Sequence, residues 1–408
     1  MAMEKEFIKN TEKNITLNVT AGKIDSFRQT EKTTGTVRVY ENGCIGVAGC
    51  IGEPNEEELT KRATEALEFA IPYPEKLEGA LELEQRHDEE IIPIHELIST
   101  MQAFLDRLGA ECPNFAFSNK IGLEYTSTEY VNSKGRRLFC SGGEVNTSLL
   151  VQNRGSGNVF DTFLGWKGDS FDADALITQF KKEYDAFFKR VDIEPGRYPI
   201  VIDISTVLYR FANHFIGELY AAGASLLSGK LGEKVFSDKL SVMSDMNAET
   251  TPGACFFDAE GCVSAPDFRP CIVENGVLKG LLTCKKSADT FNIPNIGTAQ
   301  AAYDGVPGVG LTGLYVSPTA KSLKALVPGK AIYVVMAEGG DATPDGHFAS
   351  PAQLAYLMED GELVGRIGDI TFGGNFFELF GKDYIGAVRD EPLKGSSLCA
   401  FMMDVSKG

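Results

Sequence analysis

Histidine-based chemistry has few residues to draw on. His87, His95, His214 and His347 are the only four histidines among 408 residues, and they stand far apart. Nine cysteines are present: Cys44, Cys50, Cys112, Cys140, Cys255, Cys262, Cys271, Cys284 and Cys399. None forms a C-x-x-C pair, so neither a zinc ribbon nor a thioredoxin-like dithiol is indicated. Most have apolar neighbours, as in Leu138-Phe139-Cys140, and are expected to be buried reduced thiols. His95-Glu96 begins the metalloprotease pattern H-E-x-x-H, but Ser99 stands where the second histidine belongs. It reads as a surface pair on a helix. No phosphate-cradling G-x-x-x-x-G-K-[ST] loop and no G-x-S-x-G nucleophile elbow occurs. Phe257-Asp258-Ala259-Glu260-Gly261 sets two carboxylates two residues apart. A capped turn is the favoured reading, and a carboxylate pair in a cleft is the alternative.

The elements that must position these residues follow from patterning. Residues 15–50 alternate polar and apolar positions, as in Thr36-Val37-Arg38-Val39-Tyr40, and Asn42-Gly43 marks a tight turn. An antiparallel hairpin is expected there. Pro54-Asn55-Glu56-Glu57 opens a helix whose first turn is acidic and whose apolar stripe is Leu59, Ala63, Ala66, Leu67 and Ala70. A second helix is expected from about Pro93 to Leu108, strands over 114–167, and a long helix from about Asp172 to Val191. Glu194-Pro195-Gly196-Arg197 then breaks the chain. The expected domains are therefore 1–193, with a division near 110, and 194–408. The second is β-rich, with a strand at 198–204, one buried apolar helix at 206–222, and hairpins at Glu274-Asn275-Gly276 and Glu359-Asp360-Gly361. The fold class is α+β.

The chain carries 57 acidic and 39 basic residues, a formal net charge of −18. Nucleic-acid binding relies on clustered Lys and Arg, so no nucleic-acid partner is expected. No apolar run approaches the roughly 20 residues that span a bilayer, and no membrane association is expected. Met1 to Asn10 is charged and lacks the apolar core of a secretory signal, which makes a cytoplasmic location the expectation.

The C-terminal half holds an ordered series of motifs. Ser228-Gly229-Lys230-Leu231-Gly232-Glu233-Lys234-Val235-Phe236 precedes Lys239-Leu240-Ser241-Val242. Phe257-Asp258-Ala259-Glu260-Gly261 and Ile272-Val273-Glu274-Asn275-Gly276-Val277-Leu278-Lys279-Gly280 follow. Tyr356-Leu357-Met358-Glu359-Asp360-Gly361-Glu362-Leu363 and Asp369-Ile370-Thr371-Phe372-Gly373-Gly374-Asn375 complete it. Over residues 200–408 this series resembles the TldD/PmbA family, the modulators of DNA gyrase. The TldD-like branch of that family holds zinc with a His-Glu-x-x-x-His motif and a late cysteine. The matching segment here reads His214-Phe215-Ile216-Gly217-Glu218-Leu219, so Phe215 and Leu219 stand where the general base and the second ligand belong. The resemblance therefore implies a PmbA/TldE-like chain with no metal or other cofactor of its own. It would be a non-catalytic subunit beside a zinc-bearing TldD-like partner, paired with that partner or with itself, in an assembly acting on unfolded peptides. Two alternatives remain open. One is a hydrolase with an unusual site at His214 and Glu218, which are four apart and would share a helix face; Cys399 or His347 would complete a metal set. The other is a stand-alone peptide-binding or assembly protein.

Overall fold

The N-terminal alternation builds one large sheet. Its strands are β1 (Glu4–Thr20), β2 (Lys23–Glu41), β3 (Cys44–Ile51), β4 (Ile71–Pro72), β5 (Leu81–Arg86), β6 (Phe115–Asn132), β7 (Arg136–Asn153) and β8 (Thr162–Gly168). They run in the order β4-β3-β2-β1-β6-β7-β5, with β8 also paired to β7. The β5–β7 pairing is parallel. The structure, a computed structural model, describes residues 3–264, 266–311, 313–337, 339–389 and 397–408. The expected turns form where asparagine, aspartate and glycine tolerate positive φ. Asn42 and Gly43 lie at φ +53° and +73°, Asn275 and Gly276 at +48° and +79°, and Asp360 and Gly361 at +51° and +84°. Two successive positive values are what a two-residue hairpin turn needs.

Side chains alternate faces along a strand, and the long strands bury opposite faces at their two ends. Odd-numbered Ile15, Leu17, Phe115, Phe117, Val145 and Leu149 pack against helices α2 (Ile94–Glu111) and α3 (Ala173–Phe187). At the other end, even-numbered Ile8, Tyr130, Leu138 and Cys140 face Phe256 and Phe257 of the C-terminal half. Helix α1 (Glu56–Glu65), capped by the Asn55 side chain on the Glu58 amide, covers Val37 and Val39. Helix α3 stops short of the expected Val191, because the following backbone bonds elsewhere: the Val191 amide donates to the Arg366 carbonyl.

In the C-terminal half, strands Lys330–Ala337, Gly196–Asp203, Leu398–Lys407, Ile370–Asn375 and His347–Glu359 pair in that order, and the last pairs back to the first. The result is a closed barrel. Both faces of its strands are covered. Val201, Tyr333 and Ala400 join the core shared with the large sheet and its helices, while Ile200, Ile332 and Phe401 point into a second, phenylalanine-rich core. No helix among the described residues is long and apolar enough to cross a membrane.

The expected helix at 206–222 is broken. An α-helical turn at Ile204–Leu208 runs into a 3₁₀ segment at Tyr209–Phe215, Ile216 is extended, and a short helix resumes at Gly217–Ala221. The cause is a competing strand-like pairing. The Leu282 amide donates to the Phe215 carbonyl, and the Gly217 amide donates to the Leu282 carbonyl. An added Cβ at Gly217 would sit 2.7 Å from Ile293 Cδ1, so glycine permits this close approach.

Candidate functional site

Even-numbered polar residues share the sheet face that meets the C-terminal half. Glu6 and Arg38 are direct cross-strand partners. Both are almost fully buried, and the guanidinium donates to the Glu6 carboxylate at 2.7 Å. The hydroxyls of Tyr40 and Tyr130 donate to the same carboxylate at 3.0 and 2.7 Å. A buried charge is tolerable only when paired and hydrogen-bonded in this way.

Onto this face the turn Asp258–Cys262 is clamped by its carbonyls. Arg38 donates to Ala259 O at 2.6 Å, Lys285 Nζ to Glu260 O at 3.1 Å, and Arg136 Nη1 to Gly261 O at 2.6 Å. Asp258 caps the turn from within: Oδ1 accepts the amides of Glu260 and Cys262 at 2.9 Å, and Oδ2 accepts the Ala299 amide at 3.0 Å. The Tyr73 hydroxyl donates to Glu260 Oε1, and the Lys285 amide donates to Oε2 at 2.9 Å. Gly261 adopts φ +69° with the Tyr130 ring against it. The favoured capped turn is thus present, and both carboxylates are also buried.

Burial, reinforced by the charge of Asp258, pushes the Glu260 carboxyl up to about 7. Burial also raises Asp258, against three backbone amides that favour its ionised form. The Cys262 thiol is pushed well above its usual value by burial, which makes it a poor nucleophile. A cavity of about 150 Å³ adjoins the turn, lined in part by Arg38, Tyr130, Cys255 and Asp258.

Asp258, Glu260 and Cys262 place one ligand atom each within 4.8 Å of one another, the only such group found among the described residues. They do not suit a metal ion. All four carboxylate oxygens already accept hydrogen bonds from the protein, and the Lys285 ammonium lies against the turn. A dication would be repelled by that ammonium and would displace the bonds that form the turn.

The segment singled out by sequence does not gather ligands either. The extended Ile216 separates His214 from Glu218, so the helix face they were expected to share does not form. His214 Nδ1 accepts the Leu226 amide at 3.3 Å, and its ring stacks on Phe211. Burial lowers its pKa. Phe215 sits in the barrel core. Cys399 is fully buried on a barrel strand, its thiol raised by burial. His347 is exposed and pairs with Asp345 at 3.1 Å. None of these meets another in a ligand cluster among the described residues. The His214–Leu219 segment therefore does not fit the zinc that the family resemblance attaches to it. His95 and Glu96 form the expected exposed pair, 3.4 Å apart.

Sequence reasoning missed Glu6, Arg38, Tyr73 and Lys285, which build the buried joint. The alternation of Val37, Arg38, Val39 and Tyr40 was the available signal, but both faces of β2 are buried there. It also missed a disulfide. Cys140 and Cys255 are bonded across 115 residues, which corrects the expectation of reduced thiols for this pair. Only the fold brings the even face of β7 against the segment carrying Cys255.

Residues 195–400 match the PmbA/TldA metallopeptidase C-terminal domain. A zinc metalloprotease TldD homologue of Saccharolobus solfataricus is 24% identical over 322 residues, covering 74% of this chain and 70% of that protein. A metalloprotease of Methanothermobacter thermautotrophicus is 30% identical over 190 residues, but the match spans only 45% of this chain and 41% of that protein. TldE from Thermococcus kodakarensis has the same fold, with a TM-score of 0.79 and 18% identity over 99% of this chain and 97% of that one. A Thermotoga maritima protein described as a modulator of a DNA gyrase gives 0.76 and 19% over 99% and 96%. With half of its length in the family's C-terminal domain and its fold shared throughout, the chain belongs to the PmbA/TldD family.

Proposed function

We propose that this chain is a non-catalytic, TldE-like subunit of a zinc peptidase assembly that acts on unfolded peptides. The observation that carries the reading is the His214–Leu219 segment. Where the TldD-like branch is expected to present a base and a second histidine, this chain has a core phenylalanine, a leucine and an extended residue pinned to Leu282. Zinc in a catalytic site takes about three N, S or O protein ligands and keeps one open position. Here the one nearby imidazole already accepts a backbone amide. The chain would contribute enclosure and peptide-binding surface, while the metal and its activated water would belong to a TldD-like partner. The likeness to TldE in fold supports this assignment.

One observation favours the rival hydrolase. Glu218 Oε2 is buried with no hydrogen-bond partner among the described residues, and an ion or proton donor would satisfy it. Elemental analysis of the purified chain separates the two. The proposal expects no stoichiometric zinc. About one zinc per chain, lost in His214→Ala, would support the rival. The proposal also expects a dimer or heteromer by light scattering; a monomer at every concentration, with and without a TldD-like partner, would count against it.

A further inference from the structure

Cys255 lies in a strap between Ser244 and Asp258 that is anchored at both ends by polar contacts. At one end Asp245, 1% exposed, accepts the hydroxyls of Thr250 and Thr251 at 2.9 Å and Arg269 Nε at 3.1 Å. At the other, Arg38 and Arg136 grip the carbonyls of residues 259 and 261. The middle is different. Its backbone bonds are local, with the Thr250 and Thr251 amides on Asn247 O and the Ala254 amide on Thr251 O. Among the described residues, no backbone hydrogen bond joins 247–256 to the large sheet. Thr250 is held within the C-terminal half, its hydroxyl accepting from Arg269 Nη2 at 2.8 Å and its carbonyl from Arg389 Nη2 at 2.7 Å. Beyond it, residues 252–255 are tied to the large sheet by the Cys140–Cys255 disulfide and by the close approach of Gly253 to Gly142, where an added Cβ would lie 3.3 Å from Gly253 Cα.

The strap is also a wall. Glu249, Pro252 and Gly253 face Arg86, His87 and Gly142 around a cleft of about 350 Å³. The disulfide therefore joins the two walls of this cleft covalently. We propose that Cys140–Cys255 is a redox latch, whose reduction by a dithiol frees strap residues 252–255 and lets the cleft widen.

Cys255 lines a neighbouring cavity, whereas Cys140 is 6% exposed, so Cys255 is the accessible sulfur. A thiolate of the dithiol attacks Cys255 Sγ, the S–S bond breaks, and Cys140 leaves as a thiolate that takes a proton from solvent. The second thiol of the reductant then attacks its own sulfur in the mixed disulfide. This releases the Cys255 thiol and leaves the reductant as a cyclic disulfide. Two electrons pass from the dithiol to the protein. Reclosure requires a disulfide oxidant, such as oxidised glutathione. Opening stays local because the clamp on 259–261 does not depend on the disulfide.

Hydrogen exchange read by mass spectrometry on the full chain, with and without dithiothreitol, tests the latch, together with a count of alkylated thiols. Reduction is expected to expose two additional thiols and to speed exchange over 252–255 by about tenfold or more, with 259–261 unchanged. Cys140→Ser and Cys255→Ser should show the fast strap with or without reductant. If those variants fail to fold, the two wild-type arms decide the matter alone. An unchanged thiol count, unchanged exchange over 252–255, or acceleration throughout the chain on reduction would each overturn the proposal.

Discussion

The turn at 258–262 and the segment at 204–221 both lie in the interior and fill it in opposite ways. The turn collects residue types associated with catalysis: two carboxylates, a thiol, a lysine and a tyrosine. Each carboxylate oxygen there is already bonded within the protein, and the whole fastens the barrel half to the large sheet. The segment sits where the family resemblance places metal chemistry, yet aromatic packing dominates it. The rings of Phe211, Phe215 and His214 pack against Phe376 there at tilted or edge-on angles. Chemically capable residues thus mark the joint, and the expected chemical position is a core. Residue type alone does not locate a site; unsatisfied and accessible groups do.

The largest effect should come from breaking the joint's ion pair. Arg38→Ala leaves Glu6 buried without its cation and removes the grip on Ala259, at a cost of about 3–5 kcal/mol. Chemical denaturation measures it. The double replacement Glu6→Gln with Arg38→Met should recover most of the loss, since no charge then remains buried. If the single substitution proves neutral, the joint does not hold the two halves together.

A pH comparison is next in size. The folded-state pKa of Glu260 is raised to about 7, against about 4.3 for a free glutamate. Its contribution is full below the unfolded value and is lost as pH rises through about 7, by roughly 3–4 kcal/mol at about 1.4 kcal/mol per unit. His214 has the opposite sign. Its folded pKa is lowered, so its contribution is present above the unfolded value of about 6.5 and is lost as pH falls through the lower folded one. Glu260→Gln should therefore flatten the decline in stability between pH 5 and pH 8. An unaltered decline would contradict the assignment to Glu260.

The smallest effect belongs to the segment. His214→Ala removes an acceptor for the Leu226 amide and a ring stacked on Phe211, costing about 1 kcal/mol. Phe376→Ala, in the same core, should cost about 3–5 kcal/mol. A His214→Ala loss as large as that of Phe376→Ala would mean that the histidine does more than pack.

How far the sequence discloses this arrangement depends on range. The Asn-Gly and Asp-Gly hairpins were legible because the signal is local and steric. The alternation in β2 showed that Arg38 and Tyr40 share a face, but not that Asp258–Cys262 covers it. Barrel closure joins 330–337 to 347–359, and 398–407 to both 196–203 and 370–375, which periodicity does not specify. The apolar stretch at 206–222 read as one helix because its pattern cannot reveal the pairing of residues 215–217 with Leu282. That Phe215 and Leu219 cannot ligate a metal follows from residue chemistry, whereas their standing at ligand positions is what the family resemblance implies.

The central claim is that this chain supplies structure and peptide contact while a partner supplies the metal. One assay tests it most directly: cleavage of a single unfolded peptide by this chain alone, by a zinc-bearing TldD-like partner alone, and by the mixture, each with and without chelator. The account predicts negligible cleavage by the chain alone, chelator-sensitive cleavage by the mixture, and little change in the mixture on His214→Ala. Robust chelator-sensitive cleavage by the chain alone, abolished by His214→Ala in a protein that still folds, would contradict it.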